Sequence, residues 1–175
     1  MSDQNSTIRK GYLRLIARTI LFLLVIYIFF TKILCFQRVE GMQMFPSLKD
    51  GDLTLSYCLK QTFRPNDVII YEVNGEKNFG RIIAVGGNEI NIDGSGDVKI
   101  NGISESGEII YPSYHKGDIK YPYQIPEGSV FVLGDYRTQT KDSREFGAIK
   151  ESQIKGKVLT ILRRRGIVKT FPLIW

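Results

Sequence analysis

The sequence predicts a mainly β protein in which a single N-terminal transmembrane helix is followed by one antiparallel β-sheet domain. One apolar run lies near the N-terminus, the later apolar residues fall into short runs with strand-like spacing, and no window beyond the first run keeps a helical period. At 175 residues the chain has room for an anchor and one modest domain with its own core.

Every residue from Ile20 to Phe30 is apolar or Tyr27. A helix over Thr19 to Thr31 is about 20 Å long, short of the ~30 Å hydrocarbon core. Arg18 and Lys32 can snorkel from its ends, which extends the span to Tyr12–Phe36. Ile33, Leu34, Cys35 and Phe36 are bulky where a leader peptidase would need small residues, so the segment reads as a permanent anchor. Arg9, Lys10, Arg14 and Arg18 precede it against Asp3 alone, which places the N-terminus in the cytoplasm. The expected division is a cytoplasmic N-terminus over 1–11, a single-pass anchor over 12–36 and an extracellular β domain over 37–175.

Within that domain, Leu53, Leu55, Tyr57 and Leu59 alternate with Thr54, Ser56 and Cys58, the pattern of a half-buried strand. Val68 to Val73 is a nearly continuous apolar strand. Ile90/Ile92 and Val98/Ile100 flank the turn Asp93-Gly94-Ser95-Gly96-Asp97 as a hairpin. Ser129 to Leu133 and Val158 to Leu162 add two strands, whereas Gly102 to Ile125, rich in Pro, Gly and Tyr, resists assignment.

The formal charge of +6 is scattered and shares the chain with the anchor, so a membrane surface fits it better than nucleic acid. Arg163, Arg164 and Arg165 form the densest basic run, read as a solvated strand end. Cys35 and Cys58 make no disulfide framework and lack metal-ligand spacing, and His115 has no recognisable partner. No metal or other cofactor is expected.

Three segments, in order after the anchor, resemble the sequence boxes of the type I signal peptidases, family S26. Val39 to Asp52 follows V-x-G-x-S-M-x-P-T-L-x-x-G-D except that Gln43 stands at the serine and Ser47 at the threonine. Phe79 to Asn88 follows the K-R-V-I-G-x-P-G-D box, with Gly80 at the lysine, Gly86 at the proline and Asn88 at the aspartate. Gly134 to Gly147 follows G-D-N-R-x-x-S-x-D-S-R-x-F-G with Tyr136 and Thr140 at the changed Asn and first Ser positions. Asp67-Val68-Ile69-Ile70-Tyr71 is similar to the short strand box between the first two.

The resemblance implies a serine that attacks the scissile carbonyl and a buried lysine whose pKa is lowered by desolvation. Gln43 carries an amide that cannot be deprotonated, and Gly80 carries no side chain, so no catalytic residue is assigned. Ser47 lies a turn of chain beyond the nucleophile's position, and Lys77 lies at an odd offset from Gly80, on the opposite strand face. Asp142, Ser143 and Arg144 are the vestigial support: Ser143 resembles the serine that orients the lysine, and Asp142 and Arg144 a pair that holds the fold. A groove over Gly41, Met44, Phe45, Ile82 and Ile83 is implied for an extended substrate, although Met44, Phe45, Ile82 and Ile83 individually fit an ordinary core equally well. The Gln43 N–H, which in the family helps bind the carbonyl oxygen, does not depend on the side chain.

The reading that follows is a catalytically degenerate Gram-positive relative resembling the pilus-associated signal-peptidase-like proteins. Its partners would be the cytoplasmic membrane, secreted preproteins or pilin subunits, and a sortase. The competing reading is an active signal peptidase with a non-standard catalytic arrangement. Related Ser/Lys self-cleaving repressors carry a soluble DNA-binding domain, which the anchor excludes.

Overall fold

The computed structural model describes residues 2–59, 62–105, 111–163 and 166–170. Arg164 and Arg165 of the basic run lie outside the described residues. Helix α1 (Ser2–Ile28) continues through one wider turn, Phe29–Ile33, with no proline to interrupt it. Thr19 and Thr31 donate their hydroxyl protons to the carbonyls of Leu15 and Tyr27 at 3.0 and 2.7 Å, which satisfies both polar groups inside the helix. Arg9–Ile33, at 25 residues, is long and apolar enough on average to cross a membrane, and none of its most apolar window is buried in the protein.

The helical turn gives way directly to strand β1 (Leu34–Arg38), so the last residues of the expected span are strand. Pairing with β2 (Leu53–Tyr57) sets Phe36 opposite Leu55 and takes these residues into the sheet. The other strands are β3 (Val68–Val73), β4 (Glu76–Val85), β5 (Glu89–Ile92), β6 (Val98–Ile100), β7 (Ile103–Ser104), β8 (Tyr123–Gln124), β9 (Ser129–Leu133), β10 (Ile149–Lys150), β11 (Ile154–Arg163) and β12 (Gly166–Thr170). All pair antiparallel. The larger sheet runs β1-β2-β11-β3-β4-β9-β10 with β12 beside β11, and the smaller runs β7-β6-β5-β8. A mainly antiparallel β domain behind one apolar helix is thus the architecture. Helix α2 (Ser143–Phe146) is a single turn.

The continuous apolar runs of β3 and β9 are buried on both faces, as such runs require. Between β3 and β4 the chain reverses at Asn74-Gly75, both with positive φ, the backbone that a two-residue hairpin demands. The hairpin of β5 and β6 pairs Ile92 with Val98 around the glycine-rich turn. Asp93 closes that turn by accepting hydrogen bonds from the N–H groups of Ser95 and Asp97, both at 3.0 Å.

Strand β2 is half-buried, as its alternation implies, whereas the expectations for the cysteines and for His115 are corrected. Strand β2 buries its polar side: Thr54 and Ser56 face inward, and Thr54 donates to the Gln37 carbonyl at 2.8 Å. Leu53 faces outward with Phe36, so the apolar surface of the helix continues onto the sheet. Cys35 and Cys58 form a disulfide, with Cα atoms 6.1 Å apart. The pairing of Cys35 with Ser56 brings Cys58, two residues on, to a diagonal position that spacing along the chain does not reveal. His115 is engaged as well: its Nε2 lies 2.6 Å from the Ile92 carbonyl, and its ring packs on Tyr121.

The Ser95 hydroxyl and then the Asp97 N–H stabilise the ionised Asp93 carboxylate and lower its pKa to about 2. The turn therefore contributes stability that is complete above the unfolded value of ~3.9 and is lost as pH falls through about 2. An NMR titration of the Asp93 carboxyl should show its midpoint near the lower value, and a midpoint at the unfolded value would contradict this geometry.

Candidate functional site

Residues 39–52 form a closed excursion between β1 and β2, pinned at its base by Val39 N–H to Asp52 O at 2.8 Å and Gly51 N–H to Val39 O at 2.9 Å. Val39, Met44 and Leu48 are buried in one core cluster, which fixes the excursion against the sheet. Gly41 takes φ +81°, where a side chain is strained, and its N–H donates to Asp50 Oδ1 at 2.8 Å. Gln43 is held out between these anchors.

The third box grips Gln43 by its main chain. The Tyr136 N–H donates to the Gln43 carbonyl at 3.0 Å, and a Cβ on Gly134 would come within 2.7 Å of that oxygen. Glycine at 134 permits the approach. The Gln43 N–H donates to no backbone carbonyl among the described residues. Its side-chain Nε2 donates to Asn78 Oδ1 at 3.2 Å, so two carboxamides meet at the position that the sequence resemblance assigns to a nucleophile. Sequence reasoning missed Asn78, although its place two residues before Gly80 puts it on the same strand face.

At Gly80 the space for a side chain is already filled. A Cβ there would collide with Val132 Cγ1 and come within 3.1 Å of Tyr71 Cε1. Burial, and next the charge of Asp142, pushes the Tyr71 phenol well above its ordinary pKa, so it stays protonated. Ser143 has its hydroxyl oxygen 3.0 Å from the Val132 N–H and accepts that bond instead of orienting an amine. Lys116 Nζ donates to the Thr140 carbonyl in the third box at 2.6 Å. Burial, and then the Arg144 charge, lowers its pKa.

Asp142 and Arg144 make a two-pronged ion pair, Nε to Oδ1 at 2.8 Å and Nη2 to Oδ2 at 2.7 Å, with both side chains at most 1% exposed. Asp142 also accepts from Thr140 Oγ1 at 2.6 Å and from the Gly134 N–H at 3.3 Å. Arg81 forks onto Asp135 at 2.8 and 2.6 Å and donates to Ser47 Oγ at 3.3 Å. Ser47 is thus an acceptor beside a fixed cation, and Lys77 lies at the surface of β4.

Beside Gln43 opens a cleft of 520 Å³ between two strand edges. Gln37, Arg38, Val39, Glu40, Gln43 and Met44 line one wall and residues 75–79 the other. Strand β1 ends the sheet, and β9 covers β4 only from Arg81 to Val85, so among the described residues both edges facing the cleft lack a strand partner. Of the expected groove residues, Met44 reaches the cleft from the core, Gly41 is exposed, and Phe45 packs edge-on to Tyr136 at 6.2 Å. Ile82 and Ile83 do not line it: they are buried in two separate core clusters, because β9 begins its pairing beside them.

The sequence pattern described as "Signal peptidase, peptidase S26" matches residues 10–162. The chain belongs to this family. It is 31% identical over 136 residues to signal peptidase I of Bacillus caldolyticus, covering 69% of this chain and 74% of that protein. It is equally 31% identical over 140 residues to signal peptidase IB of Staphylococcus aureus, covering 69% and 73%. A crystal structure of signal peptidase I from Enterococcus faecalis aligns over 55% of this chain and 97% of that one, with 25% identity and a TM-score of 0.45. Gln43 and Gly80 both fall within the residues that this family pattern matches.

Two consequences of the packing are measurable by urea unfolding. Gly80→Ala should cost ~1–3 kcal/mol through overpacking, with part of the loss recovered by adding Val132→Ala; equal losses with and without Val132→Ala would show that the two positions do not meet. Asp142→Ala should cost ~3–5 kcal/mol by leaving Arg144 charged and buried, and a cost below ~1 kcal/mol would mean that the pair is not structural.

Proposed function

We propose that this signal peptidase relative is a catalytically silent binder, anchored in the cell membrane by α1, that holds extended segments of secreted proteins at the outer face. The observation that carries the reading is the Gln43–Asn78 amide contact beside a Gly80 whose side-chain space is filled by Val132 and Tyr71. An amide supplies no nucleophile, and a glycine supplies no base. Loss of the nucleophile alone costs on the order of a millionfold in turnover, ~8 kcal/mol of barrier. Binding needs neither group: two unpartnered strand edges facing one cleft can accept an extended chain through main-chain hydrogen bonds.

The four basic residues ahead of the apolar run orient the N-terminus to the cytoplasm and the β domain outside. The outward strip of Phe36 and Leu53 continues the apolar surface of the helix and fits a domain resting on the bilayer. Pilin subunits are the partners we favour, with a sortase receiving them during pilus assembly. That choice rests on the family resemblance and on no residue of the cleft.

The test is incubation of the full-length protein in liposomes with a preprotein and with a prepilin, beside an active signal peptidase. Binding of a substrate without product is the expected result. Enzyme-dependent cleavage at the signal-peptide junction would overturn the proposal and reinstate an active peptidase.

A further inference from the structure

The walls of the cleft carry four charged side chains: Arg38 and Glu40 on the β1 side, Glu76 and Lys77 on the β4 side. All four are exposed, and among the described residues none of them takes part in an ion pair. Elsewhere the fold does pair charges near its surface, as exposed Lys155 with half-buried Glu72 at 3.3 Å and half-buried Lys99 with half-buried Asp93 at 3.4 Å. Each wall thus presents one cation and one anion, and the apolar groups behind them, Val39, Met44 and Phe79, belong to the core.

We infer that the cleft selects an extended polypeptide segment bearing both acidic and basic side chains, in place of the small uncharged residues that the family resemblance implies. The inference rests on the proposed binding function and specifies its ligand. A strand laid between the two edges displaces water from four charged groups. Small uncharged side chains would leave those groups desolvated and unpaired, whereas an acidic residue beside Arg38 or Lys77 and a basic one beside Glu40 or Glu76 offsets the loss. The Gln43–Asn78 amides, with donors and acceptors at the cleft wall, suit the main chain of such a segment and are indifferent to its sequence. Charge pattern supplies the discrimination. A zwitterionic lipid headgroup offers the same two signs but lacks the extended main chain that unpartnered strand edges take up.

The experiment measures fluorescence anisotropy of short labelled peptides with the full-length protein in detergent micelles at low salt. One peptide alternates Lys and Glu with Val, and the other alternates Ala and Ser with Val. The mixed-charge peptide should bind more tightly, lose affinity with added salt, and weaken roughly three- to tenfold when Arg38→Glu and Lys77→Glu are combined. Binding of the uncharged peptide should not change with either treatment. The charged positions are exposed, and circular dichroism of the variant confirms that it folds. Equal binding of the two peptides, or mixed-charge binding unmoved by the substitutions, overturns the inference while leaving the binding function intact. Displacement of the peptide by glycerophosphocholine assigns the charges to a headgroup and also overturns it. Failure of both peptides and of the preprotein to bind removes the binding function itself.

Discussion

The buried carboxylate of Asp142 is the constraint on which the site depends. It accepts bonds from the Arg144 guanidinium, the Arg144 N–H, the Thr140 hydroxyl and the Gly134 N–H, and almost none of it is exposed to water. A buried charge is tolerated only when it is paired and saturated with donors, so these groups must stay where they are. Gly134 ends β9 and Arg144 lies in α2, which ties the sheet to the third box. The same stretch, through the Tyr136 N–H, holds the Gln43 carbonyl, so the first box is placed by the third.

On the reading proposed above, that arrangement lets a signal-peptidase-like frame stand without a serine and lysine pair. The groups that hold the Gln43 segment are main-chain atoms and a buried ion pair, and none requires a serine or a lysine. Once Gly80 has no side chain, the hydrophobic interior closes over it with Val132 and Tyr71, since protein cores leave few voids. Ser143 then has a backbone N–H to serve in place of an amine. The forces that hold this frame do not depend on the side chains at positions 43 and 80.

The cleft follows from unequal strand lengths. Strand β4 runs ten residues while β9 covers only its second half, and among the described residues β1 closes the sheet with no strand beyond it. Main-chain edges left open in this way are ready templates for another chain, and charged side chains are the usual protection against indiscriminate pairing. Arg38, Glu40, Glu76 and Lys77 line the cleft between these edges.

The sequence by itself determined the β class, the single apolar helix and the family boxes. These depend on local period, on run length and on residue identity at fixed spacing, all of which are linear properties of the chain. The strands Val68–Val73 and Ser129–Leu133 and the hairpin about Asp93-Gly94 were legible for that reason, because a run buried on both faces is written wholly in its own residues. Only the tertiary structure decided which face of β2 is buried, that Cys58 reaches Cys35, that Asn78 meets Gln43, and that Ile82 and Ile83 belong to the core. Each of these is set by which strand lies alongside and in what register, and a shift of one residue would exchange the faces, so residues near the site cannot be told from residues near the core until the sheet is assembled.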